Sequence, residues 1–373
     1  MQGLYTALAS GKDVKLSTDI DCSGSEWNPV GTEENPFTGT FDGNGYKISN
    51  LTITGDNNVA LIAFAGDGAI IKNLNLENVN INSERNAAGV ISEATGGLTL
   101  ENIKVSGTIN AANYAAGLVN FPDNATISNC ENNAEINAKY SAGISAWIEG
   151  SAKVNNVTNN GKIIGETAAA GVVVNFIGNI KNAVNNGEVV SNGTWAAGGI
   201  VSRAEKASTY EYCFNYGNVT STVDNANSSA AGILGQVLKT ATLNYCANYG
   251  NITAEGSYAA GIAYSLYGGI TANYCYNNGT INGADGAGAV APKPQYGSND
   301  NAKNCLNAGT ITSNGKTYQG ANNNVSCYYY SGNSLLNVSN NEVAEQQAVL
   351  QTLNGGTDTN FFTISNGKIS VER

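Results

Sequence analysis

The 373-residue chain contains no histidine, one methionine, five prolines and only 13% charged residues. Each scarcity closes a class of function. Without histidine there is neither a Ser-His-Asp nor a Cys-His nucleophilic arrangement, and the usual zinc sets lose their commonest ligand. With 18 Lys and Arg against 29 Asp and Glu, the net charge is −11 and the pI about 4.5. Nucleic acid and anionic membranes would gain no counterion-release energy from such a surface, so neither is an expected partner. No apolar run reaches membrane-spanning length, which argues against bilayer insertion by this segment. The opening residues do not read as a signal segment. The sequence therefore reads as an excised module, a monomer within a larger protein, whose export and anchoring signals lie in flanking segments.

What the chain has in quantity is glycine, 45 residues, together with abundant asparagine. Both supply the left-handed conformations that tight turns require. They recur in a fixed frame. The stretch Thr242 to Thr253, T-L-N-Y-C-A-N-Y-G-N-I-T, reduces to apolar-x-x-Cys-x-Asn-x-Gly-x-Ile, and Cys275, Asn277, Gly279, Ile281 and Cys305, Asn307, Gly309, Ile311 follow it. Cys213, Asn215, Gly217 and Val219 precede it. Earlier copies begin at Ala183, Val157 and Cys130, with a degenerate one at Ile103. A second block, small-small-Gly-apolar, recurs at Gly89, Gly117, Gly143, Gly171, Gly198, Gly232 and Gly261, spaced 28, 26, 28, 27, 34 and 29 residues.

A repeat of that length gains stability by stacking its units. Helical repeats are excluded by the N-x-G turns, the β-branched residues and the apolar spacing of two. The expected fold is all-β, a right-handed parallel β-helix (a β-solenoid of the pectin-lyase-like kind) with small terminal caps. Residues 1–58 are assigned to an amino-terminal cap and first strands, 59–334 to the repeats, and 335–373 to a carboxyl-terminal helix and hairpin. In the first of these, Phe37 to Ile53 reads as two strands around the turn Asp42 to Gly45. In the last, Ser339-Asn340-Asn341-Glu342 reads as a capping box, with Val343, Leu350 and Leu353 on one helix face, and Asn366-Gly367 as a hairpin turn. Thr220 to Ser229 is expected to protrude, and Ala291 to Asp300 to interrupt a late coil. Cys213, Cys246, Cys275 and Cys305 share one position with Val157, Ala183 and Ile103, so they are expected to be buried and reduced. Asn132, Asn159, Asn185, Asn215, Asn248, Asn277 and Asn307 are expected to form an inward asparagine ladder.

The opening residues also carry a resemblance. Leu16 to Asp21, Trp27-Asn28-Pro29-Val30-Gly31, Phe37-x-Gly39-x-Phe41-Asp42-Gly43-Asn44-Gly45 and Ile48-x-Asn50-Leu51 resemble the start of bacterial GLUG-motif surface proteins. Ile71-x-Asn73-Leu74, Leu100-x-Asn102-Ile103 and Ile127-x-Asn129-Cys130 are similar to the family's apolar-x-Asn-apolar step, and Ser326-Cys327-Tyr328-Tyr329 to its last coil. The family's Gly-Leu-apolar-Gly core appears here as Ala-Ala-Gly-apolar. The resemblance implies a parallel β-helix module of adhesin-like proteins, found also beside the catalytic domain of some immunoglobulin A peptidases, with no catalytic residues of its own.

Chemistry has few places to reside. Glu135, Glu188, Glu211 and Asp285 fall in different frames, and Asp19 with Asp21 is the one close Asp pair, so a polysaccharide lyase or hydrolase is the weaker alternative. Calcium arrays need an aspartate in every coil, and ice binding needs paired threonines. The repeat carries asparagine in place of aspartate and only one threonine pair in eight coils, Thr310 and Thr312, so neither is expected, nor any metal or cofactor. Aromatics give the positive signal: Tyr212, Tyr245 and Tyr274 precede the buried Cys in three consecutive coils, with Tyr216 and Tyr249 at a neighbouring turn. Simple alternation points the first three outward, as a strip suited to a glycan or a host-surface protein, or as rings that simply favour β-structure and pack on one another. Tyr114, Tyr140, Trp195 and Tyr258 share another frame, before the recurring glycine. The functional expectation is a non-catalytic module of an extracellular or cell-surface protein, an adhesin or a spacer.

Overall fold

The computed structural model describes residues 1–148, 150–225, 228–264, 269–292, 301–319, 327–356 and 358–371. The fold is an all-β parallel β-solenoid. Met1–Val189 form one compact unit and Val190–Arg373 a second.

In the first unit, helix α1 (Gln2–Ala9) buries Leu4 and Leu8. Strand follows strand at one-coil offsets. Leu98–Ala111 runs parallel between Ala69–Ser83 and Ala125–Ala142, which sets Leu100 between Ile71 and Ile127, and Ile109 between Ile81 and Ile136. Like residues stacked at about 4.8 Å bury a continuous apolar strip that no single coil could bury alone.

The same logic reaches into the amino-terminal segment. Thr40–Asp42 and Lys47–Ser49 flank the expected turn, yet they do not pair with each other. Both lie parallel to Ala69–Ser83, with Phe41 opposite Ile71 and Ile48 opposite Leu76. Thr52–Gly55 joins the same strand, and Val14–Lys15 pairs with Thr40–Asp42. Coils are therefore already stacking within residues 1–58, because the next coil offers each apolar residue an in-register partner.

The glycine and asparagine blocks prove to be one device. Asn132 Nδ2 donates to Asn159 Oδ1 and Asn159 Nδ2 to Asn185 Oδ1, both at 2.8 Å. Each amide also donates to a main-chain oxygen two residues on, Ala134, Gly161 and Gly187. A Cβ on Gly117 would lie 2.5 Å from Asn132 Oδ1, and one on Gly143 the same distance from Asn159 Oδ1. The asparagine thus occupies the room that the missing side chain leaves.

The second unit repeats the arrangement. Val219, Ile252, Ile281 and Ile311 are in register, and the ladder runs Asn215, Asn248, Asn277, Asn307 at 2.8 Å per step before closing on Gln319 Oε1 at 2.7 Å. Here the glycine frame needs a correction of one residue. Gly198 lies opposite Ala231, and it is Gly199 whose Cβ would meet Asn215. None of the seven cysteines is in a disulfide, and all are buried. Cys246, Cys275 and Cys305 each donate a thiol hydrogen to the carbonyl two residues earlier, at 3.4 Å.

Beyond the coils, Tyr328–Ser331 turns back antiparallel onto Ser334–Asn337. Helix α2 (Gln346–Leu353) starts later than the capping-box reading places it: Glu345 is the N-cap, accepting from Ala348 N–H at 2.7 Å. Residues 339–342 instead form side-chain-closed turns, in which Asn337 Oδ1 accepts from Ser339 N–H and Asn340 Oδ1 from Glu342 N–H. Short asparagine side chains compete well for nearby backbone donors, and Val343 is left 75% exposed. The expected hairpin is present, Thr363–Ser365 against Lys368–Ser370, with Asn366 and Gly367 at φ +49° and +76°. Of the expected loops, 293–300 lies outside the described residues, as do 226 and 227. The described part of Thr220 to Ser229 folds back, with Ser228 and Ser229 buried and Ser228 Oγ donating to Asn225 O at 2.6 Å.

Candidate functional site

The tyrosine strip of the second unit exists as a stack. Ring centroids of Tyr212 and Tyr245 are 5.1 Å apart and those of Tyr245 and Tyr274 5.0 Å, with planes within 10°. Tyr216 stacks on Tyr249 at 4.8 Å. The backbone beneath differs from a plain strand. Tyr212, Tyr245 and Tyr274 have φ of +53°, +55° and +56°, the region that Asn50, Asn73, Asn102, Asn129, Asn156, Asn182 and Asn304 also adopt. Asparagine tolerates this conformation, whereas a bulky residue is strained in it. Stacking and burial offset that cost.

The expectation that this strip is exposed fails for Tyr245 and holds for Tyr216, which is 40% accessible, while Tyr212, Tyr249 and Tyr274 are half-buried. Tyr245 is only 5% accessible. The chain's own carboxyl-terminal segment lies on it: Phe361 meets the Tyr245 ring edge-to-face at 5.2 Å and Tyr212 at 6.2 Å, and Phe362 meets Tyr276 at 6.3 Å. Asp358 N–H donates to Tyr245 Oη at 3.1 Å, Tyr249 Oη donates to Val371 O, and Ile369 N–H donates to Tyr330 Oη at 2.8 Å. Burial, followed by the Asp358 carboxylate, pushes the Tyr212 phenol up to about 12. Gly356 sits so close that an added Cβ would lie 2.7 Å from Tyr274 Cζ. Alternation could not foresee this, because a left-handed residue breaks the in-out rule and the cover comes from more than eighty residues downstream.

A second aromatic surface lies in the first unit, at the frame of Tyr114 and Tyr140. Their rings stack at 4.7 Å and 14°. Across the glycine turn, Phe121 stands perpendicular to Tyr114 at 4.9 Å, and Trp147 edge-on to Tyr140 at 6.4 Å. All four are half-buried. Phe64, Glu93 and Phe121 follow one another in register, so Glu93 interrupts a row of aromatics. Beside it opens a cavity of about 560 Å³ lined by Glu93, Ala94, Thr95, Phe121, Pro122 and Asp123. Glu93 is oriented from behind: Asn58, itself 7% accessible, donates from Nδ2 to Glu93 Oε2 at 3.1 Å and accepts from Ser92 Oγ at 3.1 Å. The sequence signal for this corner was a second large ring seven residues after Tyr114 and after Tyr140. In the second unit the same frame is filled differently, with Arg203 over the Trp195 ring at 4.2 Å and Tyr258 beside Tyr264 at 6.1 Å.

Several other charged groups hold the coils together. Asp21 accepts from Asn50 Nδ2, Ser23 N–H and Ser23 Oγ, which together hold its carboxyl below the usual range. Lys47–Glu77, Lys104–Glu131 and Lys162–Glu188, at 3.0, 3.0 and 2.7 Å, tie neighbouring coils. Among the described residues, no three His, Cys, Asp or Glu side chains are grouped to hold a metal ion.

No protein-family model matches the chain. Halomucin of Haloquadratum walsbyi is 32% identical over 123 residues, 30% of this chain and 1% of that protein. A Gly-rich protein of Evansella cellulosilytica, named as a membrane protein, is 32% identical over 87 residues, 23% of this chain and 10% of its own length. The chain thus spans a small part of either relative. Among solved structures, a Bacteroides ovatus protein provisionally assigned as an immunoglobulin A1 protease is similar over 100% of this chain and 89% of its own, at 17% identity and TM-score 0.40. An IgA1 protease is similar over 80% of this chain and 20% of its own, at 16% identity and TM-score 0.40.

Proposed function

We propose that the chain is a non-catalytic module of a cell-surface protein, acting in adhesion through a glycan or host-protein contact, or as a rigid spacer. The observation that carries this reading is where the side-chain chemistry goes. Amides, thiols and apolar groups repeat coil after coil inside the stack, and lysines and glutamates pair from one coil to the next. That is how a scaffold is built. The names of the two relatives, a halomucin and a membrane protein, support a surface location. Contact through Tyr212, Tyr245 and Tyr274, with Tyr216 and Tyr249 at the edge, belongs to this reading: Tyr216 is accessible with the carboxyl-terminal segment in place, and Tyr245 becomes so only when that segment has left it.

One observation favours a second reading, a carbohydrate-active enzyme: Glu93 and Asp123 line the same cavity, and paired carboxylates are what glycoside cleavage uses. The two separate in one experiment. The purified chain is incubated with mucin and polysaccharides, and both retention and new reducing or unsaturated ends are measured. Retention without product, or neither, fits the module; product that disappears in Glu93→Gln and Asp123→Asn overturns it.

A further inference from the structure

We propose that the corner formed by Tyr114, Phe121, Tyr140 and Trp147, with the cavity at Glu93 and Asp123, is a binding site for neutral or amino-sugar glycans. The proposal rests on the surface-module reading for its setting but on its own geometry for its chemistry. Three features coincide. The first is aromatic area: a stacked Tyr pair with perpendicular rings at its side offers flat faces on a rigid scaffold, and all four rings are half-buried where Tyr245, under Phe361, is closed off. Rings fixed in that way bind with little loss of side-chain freedom, and the C–H faces of pyranoses suit them.

The second feature is volume. About 560 Å³ falls within the range of small-molecule sites, and Phe121 belongs to both the cavity wall and the aromatic cluster. The third is polarity. The lining brings two carboxylates and the Thr95 hydroxyl, and Glu93 is held by a buried asparagine rather than left to wander. Oriented carboxylates accept hydrogen bonds from sugar hydroxyls and attract an ammonium group, whereas they repel uronates and sialic acids. Lys139 lies 5.7 Å from the Tyr140 centroid and does not join the cavity wall.

The test uses the whole chain and follows binding by isothermal titration calorimetry while neutral oligosaccharides, chitosan oligomers, oligogalacturonate and sialyllactose are titrated in turn. Neutral or amino-sugar oligomers are expected to bind, with at least tenfold weaker binding in Phe121→Ala and in Trp147→Ala. Glu93→Gln should lose the preference for chitosan oligomers while keeping the neutral ones. Retained thermal unfolding midpoints qualify each variant, and if Trp147→Ala does not fold, Phe121→Ala followed by ligand-observed NMR measures the same loss of affinity. Unchanged affinity in the folded variants, tighter binding of the acidic sugars, or no binding of any sugar overturns the site. Binding of host protein alone would overturn the site and leave the surface module standing; release of new sugar ends would do the reverse.

Discussion

At the scale of single residues, asparagine plays two roles that look alike in the sequence and differ in energy. Asn159 is fully buried, and its amide links Asn132 to Asn185 while holding Gly161 O. Asn156, three residues earlier, is exposed at φ +52° and donates to Asn129 Oδ1 at 3.1 Å on the outer surface. Removing the first side chain leaves buried acceptors without donors, at about 1–3 kcal/mol per group. Removing the second sacrifices a solvent-screened bond and asparagine's tolerance of the left-handed region, about 1 kcal/mol. Asn159→Ala should therefore lower the urea midpoint clearly more than Asn156→Ala, and Asn156→Gly should be close to neutral. Equal losses for Asn159→Ala and Asn156→Ala would show that the inner ladder contributes little.

At the scale of elements, the coils were legible in the sequence because one physical rule, like on like at a fixed offset, fixes both composition and register. The asparagine ladder and the buried thiols follow from it directly, and the Asn366-Gly367 hairpin from local turn chemistry. What escaped were features with no periodic trace. The start of α2 was decided by competing asparagine turns, and the glycine frame slipped by one where two glycines adjoin. The exposure of the tyrosine stack was decided by residues 354–371, anchored by Asn354, whose side chain brackets Phe362 at 2.8 and 3.0 Å. This segment is docked, not woven into the parallel ladder. Gly356→Ala, which places a Cβ against Tyr274, should loosen it. The expected outcome is faster proteolysis within 354–371 and faster amide exchange there, with the coils unaffected. Unchanged protection would mean that the ring contacts alone hold the segment.

For the whole molecule, the buried thiols titrate only in alkali. Burial pushes Cys130 up to about 12, and Cys246, Cys275 and Cys305 well above the ordinary thiol value of 9.0. Unfolded, these thiols would lose their protons near 9 while the folded chain retains them. The stability they contribute is thus complete below that pH and declines as pH rises above it, by up to about 1.4 kcal/mol per unit for each fully buried group. Urea midpoints should be level from pH 7 to about 8.5 and fall steeply by pH 10.5; a level profile to that pH would contradict the burial. Length, by contrast, is a free variable in this architecture. The antiparallel turn of Tyr328–Ser331 onto Ser334–Asn337 reverses the chain after its pairing with Leu306–Asn307, so elongation at that end has no template. A duplicated stretch such as Ala247–Cys275, inserted upstream, would find every ladder waiting on both sides. Descendants of this gene could gain or lose whole coils while inheriting the same closing turn.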